Sequence, residues 1–163
     1  MAEAGLELGY EDLRLDRAST GESLLAVTLR LWVLERALVG RARLPDWRGG
    51  LAAAGLGPLA ETVVEPLFEF LWGNHYGLEV VPLCHRELSA EERALLTWVA
   101  LLQRGRRDEV RRLLAGYTFP ATARVILPLL ERLAEAMAAA GLALPGRLAP
   151  PPADPAARRL RLH

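Results

Sequence analysis

Residues 89–104 read SAEERALLTWVALLQR. Ser89-Ala90-Glu91-Glu92 is a capping box. The Ser89 hydroxyl can accept from the amide three residues on, while the Glu92 carboxylate reaches back to the free Ser89 amide. Acids in a first turn also suit the positive end of a helix dipole. Behind the box, Leu95, Trp98, Val99 and Leu102 recur at i, i+3, i+4 and i+7, one face of a 3.6-residue period. Leu96 and Leu101 widen that face. The spacing predicts a mostly buried helix running to about Arg104.

The same grammar stands earlier in the chain. Ser19-Thr20-Gly21-Glu22 is a second capping box. It predicts a helix to about Val39, with Leu24, Val27, Leu31, Leu34 and Leu38 lining the inner face and Leu25, Leu29, Trp32 and Val39 thickening it. Gly40 is the expected stop. Arg30, Glu35 and Arg36 interrupt an apolar run that is too short to span a membrane. Pro45-Asp46 then opens a short Ala-rich segment that ends at Gly55-Leu56-Gly57. Pro58 suits a first helical position. A helix over 58–72 follows, kinked at Pro66, which lacks an amide and crowds the carbonyl four residues back.

Residues 73–88 read as irregular, with Leu78-Glu79-Val80-Val81 as a candidate short strand. Beyond the helix at 89–104, Gly105 marks a turn. A short helix covers 107–115, and a long one runs from Phe119-Pro120 to about Ala140, closed by Gly141. The expected fold is all-α: a compact five- to six-helix bundle with an irregular central loop and a disordered Pro-rich C-terminal tail. Trp32 and Trp98 are the expected core anchors. Residues 1–18 read as an N-terminal arm, 19–144 as the helical bundle, and 145–163 as a flexible tail, since three consecutive prolines favour an extended linker.

Composition narrows the chemistry. At 163 residues one domain is the expectation, and such a chain buries about 68–70% of its unfolded surface without help from a metal or disulfide. The single Cys cannot form an internal disulfide. The acidic, glycine-broken start resembles no secretory leader, so a reducing cytoplasm is the expected home. All 20 basic residues are Arg, which fits a GC-rich bacterial coding sequence. Without Lys there is no Schiff base and no Walker A lysine. Formal net charge is zero, yet residues 1–80 hold 7 Arg against 12 acids and residues 81–163 hold 13 Arg against 8.

Candidate chemistry gathers between Phe68 and Glu92, where two Phe, a Trp, a Tyr, two of the three His and the only Cys lie within 25 residues. Phe68 and Trp72 are four apart and share a helix face. With His75 and Tyr76 they could wall a small-molecule pocket. His75, Cys84 and His85, with Glu87 nearby, are the metal or haem candidates. However, zinc sites want four N, S or O ligands, or three plus water, and no CxxC, HxxxH or CxxCH spacing is present. Cys84 beside His85 and Arg86 could be a reactive thiol, though adjacent residues rarely form a dyad.

Gly55-Leu56-Gly57-Pro58-Leu59-Ala60 fits G-x-G-x-x-A, but a helical segment precedes it where a dinucleotide site needs a strand. His85-Arg86-Glu87 matches H-x-E of zinc deaminases without their P-C-x-x-C. None of the three serines lies in G-x-S-x-G. Residues 89–140 can be read as a helix-turn-helix with Arg104, Arg106, Arg107, Arg111 and Arg112 on phosphates. Against this, nucleic-acid binders usually carry a basic excess and this chain is neutral.

The reading that remains is a non-catalytic helical interaction or regulatory module, homo-oligomeric and most simply a homodimer. It implies no cofactor and no membrane, and its basis is that apolar helix faces exceed the needs of one bundle. A small-molecule, metal or haem binding protein built on 68–87 is the alternative. A DNA-binding regulator is the second.

Overall fold

The computed structural model describes residues 10, 12–38, 46–74 and 79–147. Gly40, the candidate strand start at Leu78 and the tail from 148 onward lie outside the described residues. Among the described residues there are six α-helices and no strand. They are α1 (Thr20–Ala37), α2 (Trp47–Ala53), α3 (Glu65–Asn74), α4 (Ala90–Gln103), α5 (Arg107–Tyr117) and α6 (Pro120–Ala139). None of them is long and apolar enough to cross a membrane. The fold is the all-α bundle that the periodicity predicts.

Both capping boxes form. Ser19 and Ser89 accept from the Glu22 and Glu92 amides at 3.2 and 3.1 Å, and the two carboxylates accept from the serine amides at 2.7 and 2.8 Å. Helix ends follow equally local rules. After α4, Gly105 turns to φ +73°, its amide bonds Leu102 and the Arg106 amide bonds Leu101. That is a Schellman stop, which a left-handed glycine makes easy. Gly55 plays the same part after α2 at φ +81°, with Leu56 bonded back to Leu51 and both leucines buried. The G-x-G-x-x-A match is therefore a helix stop.

Two local expectations shift. The helix expected over 58–72 is helical over 59–74 but not α-helical throughout. A π-helical turn at Ala60–Val64 precedes α3, and such a turn is one way to absorb a proline's missing amide. α5 runs through Gly116 to Tyr117 rather than stopping at 115.

α4 is central and packs on α1, α5 and α6, while α3 lies on α6 and α2 on α1. Trp32 and Trp98 are both buried. The Trp32 ring meets Phe68 and Trp72 edge-on at 5.7 and 5.9 Å, and Trp98 meets Tyr117 at 5.0 Å. In α1 the fully buried face is Leu25, Ala26, Leu29 and Trp32. Of the expected inner stripe only Leu31 is buried, and Leu24, Val27, Leu34 and Leu38 are half-open. Apolar residues surround this helix, so tertiary packing decided which face closed.

The first and last described segments meet at the start of α1. Tyr10 and Leu13 of the N-terminal arm are buried. At the other end, the Leu144 amide donates to Gln103 at 2.7 Å, and Arg147 donates to Glu22 at 2.7 Å. The crossing is tight at Gly21, where a Cβ would stand 2.8 Å from the Leu142 carbonyl oxygen and 3.0 Å from Leu144. Gly21→Ala should therefore lower stability by about 1–3 kcal/mol through overpacking, although Ala is the better helix former by roughly 1 kcal/mol. Urea melts check this. A more stable variant would mean that residues 142–144 do not cross α1 there.

Candidate functional site

The central loop is built on a buried charge. Arg30, in the middle of α1, is 1% exposed, and its partner Glu92 is fully buried. Nε donates to one Glu92 carboxylate oxygen and Nη2 to the other at 3.0 Å. Nη2 also donates to the Glu87 carbonyl at 2.6 Å, and Nη1 to the carbonyls of His85 at 2.7 Å and Pro82 at 3.3 Å. Five donors thus meet five acceptors, the full capacity of a guanidinium. Residues 82–87 are exposed on their outer side and carry inward-facing carbonyls that close over Arg30. An antiparallel bridge, Arg14 to Glu87, ties the arm to this loop, with the Leu15 amide donating to Arg86 at 2.7 Å. No strand forms over 79–81.

Arg30 and Glu92 were readable as a helix interruption and a cap, but their pairing was not. The available signal was the company Arg30 keeps: a charge is almost never buried without a partner.

The aromatic candidates divide. Phe68 is fully buried against Trp32, while Trp72 is half-buried on the same ring. Arg36 lies over the outer Trp32 face, 4.4 Å from its centroid. His75 and Tyr76 lie outside the described residues. Cys84 and His85 are both exposed on the loop. Among the described residues, no three His, Cys, Asp or Glu side chains group so as to hold a metal ion.

The five arginines considered for phosphate contact are mostly engaged within the chain. Arg104 donates to the carbonyls of Ala100 at 2.7 Å and Leu144 at 2.9 Å, so it ties down the C-terminal segment. Arg106 bonds Glu109, and Arg107 bonds Glu131. Arg111 lies 3.4 Å from Asp108. Arg112 is exposed and has no ion-pair partner among the described residues.

Among the described residues, two strongly apolar grooves are open. One, of about 470 Å³, runs along α1 and α2 and is lined by Leu24, Val27, Leu31 and Trp47, with Thr20 and Ser23 at its edge. The other, of about 410 Å³, lies between α5 and α6. Compared with protein-family models, curated proteins and solved structures, the chain matches none.

Arg30→Met should cost about 3–5 kcal/mol, because it strands a buried carboxylate and takes the donor from the His85 and Glu87 carbonyls. The double variant Arg30→Met/Glu92→Gln should recover part of that loss, since Gln also completes a capping box. Urea melts of the two variants and the wild type measure this. Equal losses in the two variants would sink the idea that the stranded charge is the main cost.

Burial pushes the Tyr10 hydroxyl up to about 12, helped by the Glu22 charge and opposed by Arg104 and Arg147. Burial, with Glu91, does the same for Tyr117. The folded state therefore holds these protons to higher pH than the unfolded state, whose tyrosines ionise near 10. Their contribution is intact below about pH 10 and is lost as pH rises toward about 12. The chain has no Lys and Arg stays charged, so the loss should stand out against little else. Stability measured from about pH 9 to 11.5 should fall, and Tyr10→Phe with Tyr117→Phe should flatten the fall. An unchanged slope in that double variant would refute the assignment.

Proposed function

We propose that this chain is a non-catalytic helical interaction module that pairs with a protein partner, in the first instance a second copy of itself. The supporting observation is the half-open stripe on α1. Leu24 and Val27, with Leu31 behind them, form an apolar ridge at helical spacing beside Trp47 and Gly50 of α2. Removing such a ridge from water is favourable by about 25 cal/mol per Å² of apolar surface. Small and short side chains at the rim (Ala18, Thr20, Ser23, Gly50) let another helix approach closely. The reactive groups point the same way. Cys84 and His85 sit side by side in sequence on an exposed loop, where the carbonyls of Pro82, His85 and Glu87 are engaged in holding Arg30.

Multi-angle light scattering tests the reading. The wild type should show about twice the 17.9 kDa chain mass at concentrations of about 10–100 µM, the range where a micromolar dimer is populated. Val27→Asp should return the mass to that of one chain with unchanged helical circular dichroism. A single-chain mass for the wild type throughout that range would remove the homodimer, and an unaltered dimer in Val27→Asp would remove this groove as its seam.

A further inference from the structure

The second groove has a different chemistry. α5 and α6 are joined by Thr118 and Phe119 alone, and Arg107 at the far end of α5 bonds Glu131 of α6. The two helices therefore lie side by side in opposite directions. Over the buried Leu114 and Leu127, the open Ala115, Ala123 and Pro128 give the groove between them an apolar floor, and Arg107, Arg111 and Arg124 stand around it. Phe119, 69% exposed, extends the apolar surface beside Pro120.

These cations are not equally satisfied. Arg124 donates only to Pro120 of its own helix, at 3.3 Å, and has no carboxylate partner among the described residues. Arg111 pairs with Asp108 where both side chains are well exposed, and such pairs contribute little and exchange easily. An incoming carboxylate would find Arg124 open and Arg111 ready to change partners, and a guanidinium takes a carboxylate in a two-point grip. A phosphate backbone has no apolar face to lay on that floor, a poorer match than an amphipathic segment.

We propose that the α5/α6 groove binds an acidic amphipathic peptide segment of a partner protein. The segment's apolar face would lie on Ala115, Ala123 and Pro128, and its carboxylates on Arg111 and Arg124. Recognition is then the helix-in-groove mode, with charge complementarity setting orientation and on-rate. This surface shares no lining residue with the α1/α2 groove, so the two proposals can fail separately.

The probe is a fluorescent synthetic helical peptide of about 15 residues, four turns, with Leu on one face and Glu flanking it. A second peptide replaces each Glu with Lys. Fluorescence anisotropy with the full chain should show the Glu peptide binding at least about tenfold more tightly than the Lys peptide, and weakening as salt rises. Arg111→Ala/Arg124→Ala should lose most of that preference while keeping the wild-type melting curve. Both side chains are on the surface, and if the double variant melts early, Arg124→Ala alone is measured. Equal affinity for the two peptides would overturn the proposal. So would tighter binding of a short DNA duplex at the same salt. Dissociation of the chain's own dimer by Arg124→Ala would assign the face to a second copy and would also overturn it.

Discussion

Arg30 carries a permanent charge on a helix with apolar residues all round it, and water does not reach the guanidinium. Isolated, that charge would cost many kcal/mol. The surrounding structure is arranged to meet it. Glu92 supplies the counter-charge and two acceptors, and it does so from the first turn of α4 while still capping that helix. The α1/α4 contact is thus set by a bond between the middle of one helix and the start of another. The remaining donors need carbonyls, so residues 82–87 must lie over the guanidinium with their backbone turned inward. Once that loop is placed, its Arg86 carbonyl receives the Leu15 amide, and the N-terminal arm follows. An irregular loop is held in place here by the donors of one side chain.

The device occurs twice. Glu22 closes the capping box of α1 and, fully buried, also receives Arg147 from the C-terminal segment. In each case a helix start concentrates free amides, a carboxylate is drawn to them, and a distant arginine is drawn to the carboxylate. Only a side chain with several fixed donors can satisfy a carboxylate and backbone carbonyls at once. A chain whose basic residues are all Arg is well supplied with such groups. The only Asn and the only Gln act similarly across gaps. Asn74 joins the end of α3 to Tyr117 and Phe119, and Gln103 joins α4 to Ala134 and Leu144.

What could be read in advance was local. Ser19, Glu22, Ser89 and Glu92 announce helix starts because the bonds they make span three residues. Gly55, Gly105 and Gly141 announce stops because each left-handed turn is made within its own helix end. The buried face of α1 was not legible, since Leu24, Leu25, Val27, Leu29 and Leu31 are chemically alike and only α2, α4 and the loop decide which of them closes. Arg30 was misleading for the same reason. Its partner lies 62 residues away, and no periodicity encodes that distance. Phe68 and Trp72 share a face as their spacing requires, but the face looks onto Trp32.

The arginine cluster at 104–112 shows why net charge alone is a poor guide to a surface. Arg104 turns inward to hold Leu144, while Arg106, Arg107 and Arg111 lean on carboxylates of their own or the next helix. A sequence tally counts them as equal cations. The fold divides them into one structural tie, three screened charges and one exposed side chain. It then adds Arg124, which no reading of the cluster included, because the antiparallel path of α6 is what brings it alongside Arg111. The α1/α2 and α5/α6 grooves consequently differ in kind. That on α1 and α2 is lined without a charged side chain and carries the hydroxyls of Thr20, Ser23 and Thr28. That on α5 and α6 couples an apolar floor to cations whose present partners are weak, suited to a segment that brings its own acids.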